Sequence, residues 1–185
     1  MSTKTEIFIK DRADPYITKG SDGFYYFTAS YPMYGKNDTN GYDRIILRRA
    51  KSIYDLAEAE EKVIWHEKNS DTSFRFIWAP EIHEINGKWY VLFAASGSEN
   101  NVWDINCHCI VCEDSDPYNG KWTDCGKFQS FDGDDFPFTG FSLDMTYFEC
   151  GAKSFVAWAQ NGGNSNVYLS TVDPSEPWKT TAPAM

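Results

Sequence analysis

Hydrophobic positions along this chain come in short dense runs, each broken by a turn signal rather than spread at helical spacing. Residues 77–96 (IWAPEIHEINGKWYVLFAAS) show the pattern most clearly. The run from Lys88 to Ala95 is rich in Trp, Tyr, Val, Leu and Phe, the residue types that fit a pleated surface. It follows Asn86-Gly87, a pair that closes two-residue hairpins because both residues tolerate positive φ. The segment therefore predicts strand, tight turn, strand, with Pro80 at the strand entrance, where the missing N–H costs no ladder bond. Glu81 then stands at the mouth of a hairpin.

The same unit recurs at residues 14–30 (DPYITKGSDGFYYFTAS) and 143–160 (LDMTYFECGAKSFVAWAQ). Its turn glycines, Gly23, Gly87 and Gly151, are spaced 64 residues apart, and a carboxylate opens each incoming strand: Asp14, Glu81 and Asp144. A further strand-like run and an acidic, turn-rich segment follow each hairpin, at residues 44–56 (RIILRRAKSIYDL), 107–122 (CHCIVCEDSDPYNGKW) and 166–178 (NVYLSTVDPSEPW). A tryptophan closes each repeat, at Trp65, Trp122 and Trp178. Adding a short outer strand near each tryptophan gives four strands per repeat. This period and strand count describe a blade of a β-propeller, in which sheets pack radially round a channel.

The predicted fold is all-β, a single incomplete propeller over residues 1–185, with blades near residues 10–66, 74–123 and 138–180. At this period the chain holds about 2.9 blades, fewer than the roughly four to eight with which propellers close. Two apolar blade faces are then expected to stand open, to be covered by a second copy of the chain or by a partner chain. Residues 35–42, 68–73, 97–101 and 132–135 read as polar or charged loops, and residues 55–62 (DLAEAEEK) as a short helix-like patch.

Composition narrows the function. The 185 residues are 42% hydrophobic and 17% aromatic, ample for a core. The net charge of −10 repels phosphate backbones and anionic membranes, which argues against nucleic-acid or membrane partners and favours a neutral substrate. No run approaches the roughly 20 apolar residues of a membrane span. The N-terminal residues lack the apolar stretch of a signal peptide, which predicts a cytoplasmic chain, or a secreted one whose leader has been removed. Five cysteines, an odd number, read as reduced thiols. Cys107, His108, Cys109 and Cys112 are zinc-ligand types, but strand alternation would send Cys107 and Cys109 to one face and His108 and Cys112 to the other, so no metal site is assigned.

Three motifs carry a resemblance. ADPYI at residues 13–17, WAPEIH at residues 78–83 and SLDMTYF at residues 142–148 together resemble the inverting, five-bladed propellers of glycoside hydrolase family 43, in particular its α-L-arabinofuranosidase-like members. The resemblance runs through essentially the whole chain, motifs in order. It implies that Asp14 is the general base, that Asp144 is the second aspartate tuning the acid and orienting the sugar, and that Trp78 and Glu81 face substrate. Phe27 and Trp103 are candidate pocket walls. The implied substrate is an arabinose- or xylose-containing oligosaccharide or polysaccharide, such as arabinan or arabinoxylan. β-Xylosidase and arabinanase activities are the neighbouring alternatives, and a non-catalytic sugar-binding module is the alternative outside the enzyme class. The family's general acid, a glutamate in an Asn-Glu-Gly-Pro-like motif, does not occur in these residues and is expected beyond residue 185. No cofactor is implied except the calcium ion that some members hold in the channel, for which no residue here is identified as ligand.

Inverting hydrolysis explains these residue types. One carboxylate deprotonates water on one side of the sugar while a protonated carboxyl roughly 6.5–9.5 Å away protonates the leaving oxygen. A neighbouring carboxylate keeps that acid protonated by like-charge repulsion. Other readings stand beside these. Asp14 before Pro15 is also a turn opener, Glu81 either contacts sugar or anchors its strand, and Trp78 either stacks on a sugar face or packs between blades. Arg44 pairs with a carboxylate or bonds sugar hydroxyls, whereas His83 and His108 read as structural.

Overall fold

A computed structural model describes residues 5–32, 41–70, 75–98 and 100–185. Of the predicted loops, residues 35–40 and 71–73 and residue 99 lie outside the described residues. The elements are β1 (Ala13–Lys19), β2 (Tyr25–Ser30), β3 (Arg44–Ala50), β4 (Lys62–His66), β5 (Arg75–Ile85), β6 (Lys88–Ser96), β7 (Ile105–Cys112), β8 (Trp122–Lys127), β9 (Ser142–Cys150), β10 (Lys153–Asn161) and β11 (Ser165–Val172). They form three antiparallel meanders in chain order: β1-β2-β3-β4, β5-β6-β7-β8 and β9-β10-β11.

Two sheets have the four strands expected of a blade, and the third has three. Its outer position is taken by the C-terminal segment without regular strand geometry. Thr180 bridges Val172, Thr181 N–H donates to Thr171 C=O at 2.7 Å, and Met185 exchanges backbone bonds with Leu169. The same segment is held from the other side by Gln129, just past β8, whose N–H donates to Trp178 C=O at 2.9 Å and whose C=O accepts from Thr180 N–H at 3.0 Å. Trp65 and Trp122 lie in the outer strands β4 and β8, near where the repeat pattern puts them.

The sheets stack face to face through two aromatic-rich cores. Tyr26, Ile45, Leu47 and Trp65 of the first sheet meet Ile77, Ile82, Trp89, Val91 and Phe93 of the second. Tyr90, Leu92, Cys107 and Cys109, on the other face of the second sheet, meet Met145, Tyr147, Val156 and Trp158 of the third. Burying both faces of the middle sheet explains why Trp89–Ala95 reads as an unbroken apolar run rather than an alternating one. Cys112 packs in the first core and His108 stacks on Phe93 there, opposite Cys107 and Cys109, as strand alternation requires.

One of the two outer faces differs from expectation. The outer face of the first sheet, carrying Phe27, Ala29 and Ile46, is covered by Leu56 with Ile9 and Ala59 packed alongside. The predicted helix-like patch, residues 55–62, supplies this cover: the chain there forms only a short 3-10 helix, Tyr54–Ala57, before β4 begins, and folds back over the sheet. On the third sheet, Phe148 (41% exposed) stacks on Phe155, and Val167 is 76% exposed.

Candidate active site

The first strand of each sheet, β1, β5 or β9, pairs on one side only. Each carries the same irregularity. Pairing skips between Ala13 and Tyr16 in β1, between Trp78 and Glu81 in β5, and opposite Ala157 and Ala159 in β9, where Leu143 and Thr146 are the flanking partners. At each bulge one residue adopts the left-handed region: Asp14 at φ 50°, Ala79 at φ 44° and Asp144 at φ 54°. Pro15 and Pro80 follow two of them, and a bulge on an edge strand is where a residue without an N–H is tolerated.

This geometry corrects the sequence register. The equivalent positions are Asp14, Ala79 and Asp144, so the second sheet has alanine where its neighbours have aspartate, and Glu81 sits two residues later, level with Tyr16 and Thr146. A carboxylate does not head every sheet. The side chains converge nonetheless: Asp14, Pro15, Tyr16, Ala79, Glu81 and Asp144 line one cavity of about 290 Å³. Asp144 also borders a second cavity of about 190 Å³ with Phe141, Leu143 and Asn161.

Ser30, at the end of β2 and fully buried, fixes Asp14. Its hydroxyl donates to Asp14 Oδ2 at 2.7 Å and accepts the Ala79 N–H at 2.8 Å, clamping the bulges of two sheets together. Asp14 and Asp144 are both open to the cavity. Protein packed behind Asp144 still shields its carboxyl enough to raise its pKa above the ordinary value, and the negative charges of Asp14 and Glu81 push the same way. Burial, aided by Glu81, pushes the Tyr16 hydroxyl up to about 12, so Tyr16 stays protonated across the working range of a carboxylate site. Glu81 Oε2 lies 3.1 Å from His83 Nε2.

The remaining predicted site residues divide. Trp103 is 73% exposed and its ring lies 5.5 Å from that of Phe141, which lines the second cavity. The Trp78 ring meets Tyr42 and Phe76 edge-on at 5.9 and 6.2 Å, and its Nε1 is buried without a hydrogen-bond partner. Phe27 is not a pocket wall. It is 2% exposed in the apolar cluster on the far face of the first sheet, because β2 is covered on both sides and nothing in its sequence marks which face an aromatic takes. Arg44 pairs with Asp43 at 2.5 and 2.8 Å and lies over the Tyr31 ring. Sequence reading missed Ser30, Tyr16 and Ala79; the 65-residue spacing of positions 14, 79 and 144 was the available signal for the last. Among the described residues no group of three or more His, Cys, Asp or Glu side chains is placed to hold a metal ion.

The profile of glycosyl hydrolases family 43 matches residues 4–184. An extracellular exo-α-(1→5)-L-arabinofuranosidase of Streptomyces avermitilis is 40% identical over 95% of this chain, which covers 34% of that protein. A second enzyme of the same name, from Streptomyces chartreusis, is 37% identical over 95% of the chain and 49% of its own length. The chain thus spans a third to a half of these relatives. The crystal structure of an α-L-arabinofuranosidase from Lactobacillus brevis superposes with a TM-score of 0.80 at 36% identity, over 96% of this chain and 54% of that one. An endo-arabinase from Bacteroides thetaiotaomicron shares the fold at a TM-score of 0.67 and 16% identity. The three radial sheets are consecutive blades of that propeller, and with the family match running nearly from end to end, the chain belongs to glycosyl hydrolases family 43.

Proposed function

We propose that this chain supplies the base-bearing part of an inverting glycosidase that releases α-L-arabinofuranosyl residues from arabinan- or arabinoxylan-type carbohydrates. The observation that carries the reading is the opening of Asp14 and Asp144, from edge strands of two different sheets, into one cavity beside Glu81. Asp14 is the general base: Ser30 holds Oδ2, which leaves the other oxygen to take a proton from water. Asp144, whose pKa is raised by burial and then by the charges of Asp14 and Glu81, orients the sugar and would keep a neighbouring acid protonated. Trp103 and Phe141 offer an aromatic wall to the sugar's C–H face. The two Streptomyces relatives are named as extracellular enzymes, which supports a secreted parent protein.

The alternative outside the enzyme class is a sugar-binding module without turnover. Leaving-group dependence separates the two. A good leaving group needs little protonation, so a site with a base and no acid should hydrolyse dinitrophenyl α-L-arabinofuranoside while sparing the methyl glycoside. Turnover of the dinitrophenyl substrate that is lost in Asp14→Asn supports the enzyme; saturable binding with no Asp14-dependent turnover supports the module.

A further inference from the structure

His83 reads as structural in the sequence, but its neighbours in the fold give it a directed role. It follows Glu81 by two residues on β5, so both side chains lie on one face of the strand. Its side chain is 8% exposed and each ring nitrogen has one partner: Nε2 lies 3.1 Å from Glu81 Oε2, and Nδ1 lies 3.3 Å from the Tyr16 hydroxyl on β1. The ring is hemmed by Tyr16, with centroids 5.1 Å apart, and by the edge of Tyr147 from β9 at 5.8 Å. Three sheets therefore set the position of one imidazole.

The donors and acceptors allow one direction. An ionised carboxylate has no proton to give, so Nε2–H must donate to Glu81; in the neutral ring Nδ1 then accepts, and the Tyr16 hydroxyl provides the proton. Oε2 is thereby occupied, while Oε1 has no protein partner among the described residues and Glu81 lines the cavity with Asp14 and Asp144. We infer that Tyr16 and His83 are positioning residues that hold Glu81 as a fixed acceptor for a hydroxyl of a pentose in the cavity. This rests on the sugar reading of the same site. A free glutamate must give up several rotamers when it binds a hydroxyl, whereas one already held does not, and that saving appears as affinity.

The test uses the 185-residue chain. Imidazole ¹⁵N shifts at pH 8, where an ordinary imidazole is neutral, should show His83 as the Nε2–H tautomer, and Tyr16→Phe, which keeps the ring, should turn it into a mixture. Titration with methyl α-L-arabinofuranoside should show binding weakened about tenfold by His83→Leu and severalfold by Tyr16→Phe, with His83→Gln, whose amide can still donate to Glu81, restoring most of it. An Nδ1–H tautomer, or one indifferent to Tyr16→Phe, overturns the hydrogen-bond chain. Binding unchanged in both Tyr16→Phe and His83→Leu overturns the positioning role. If the wild-type chain binds no pentoside, the sugar reading and Glu81's part in it fall together, while the nitrogen shifts still decide the Tyr16–His83–Glu81 chain.

Discussion

Removing the Ser30 hydroxyl should loosen the site and cost measurable stability. Ser30→Ala deletes two bonds, the 2.7 Å bond to Asp14 Oδ2 and the 2.8 Å bond from the Ala79 N–H. A hydrogen bond to a charged group contributes about 1.5–3 kcal/mol, and an amide left without a partner costs about 1–3 kcal/mol. Both figures belong at their low ends here, because Asp14 is open to solvent and Ala79 only half-buried, so water can replace part of each bond. The expected loss is about 2 kcal/mol, which for a chain of this size lowers the melting temperature by roughly 4–8 °C. Urea unfolding of Ser30→Ala, Asp14→Ala and the double variant gives the test as a cycle. The two substitutions should fall short of additivity by about 1 kcal/mol, since either one removes the shared bond. A loss below about 0.5 kcal/mol, the level of an ordinary surface change, or additivity within that margin, would refute the clamp.

Other consequences follow from the same geometry. Asp144 has a folded-state pKa raised above its ordinary 3.8, so the stability associated with its protonated form is fully present below that value and is lost as pH rises through the folded one. Asp144→Asn should therefore match the wild type near pH 3 and exceed it near pH 7, by less than about 1 kcal/mol because solvent screens an exposed group, as thermal unfolding at the two pH values would show. Ala79 holds φ 44°, a conformation costing an L-residue roughly 1–2 kcal/mol. Ala79→Gly should therefore leave urea stability unchanged or raise it by up to about 1 kcal/mol, where alanine to glycine in an ordinary strand costs roughly 0.5–1 kcal/mol. Cys107 and Cys109 are buried, with Cys107 pushed up to about 12 by burial, whereas Cys150 is exposed. Brief iodoacetamide treatment of the native chain at pH 8, read by mass spectrometry, should label Cys150 and spare both until the protein is unfolded.

Strand content, hairpins and stacking order were readable in the sequence because turn glycines and aromatic runs act locally. Asn86-Gly87 fixes its turn whatever surrounds it, and Gly23 and Gly151 do the same. The register of the site was not readable in this way. A bulge moves everything before it by one residue without changing the hydrophobic pattern after it, so pairing the carboxylates that open each incoming strand aligned Glu81 with Asp14 when the backbone aligns Ala79. Phe27 shows a related limit. Alternation assigns faces only when one face is polar, and Tyr25–Ser30 is covered on both. The partial third sheet depends on how residues 178–185 dock against Gln129 and β11, a long-range contact with no local signature.

Carboxyl-selective ¹³C NMR during titration with methyl α-L-arabinofuranoside addresses the central claim, that acids from three successive sheets share one sugar-holding cavity. The account predicts that Asp14, Glu81 and Asp144 resonances move along a single saturation curve while surface carboxylates such as Glu113 and Glu176 stay still. Movement of only one of the three, or shifts confined to the surface carboxylates, would contradict it.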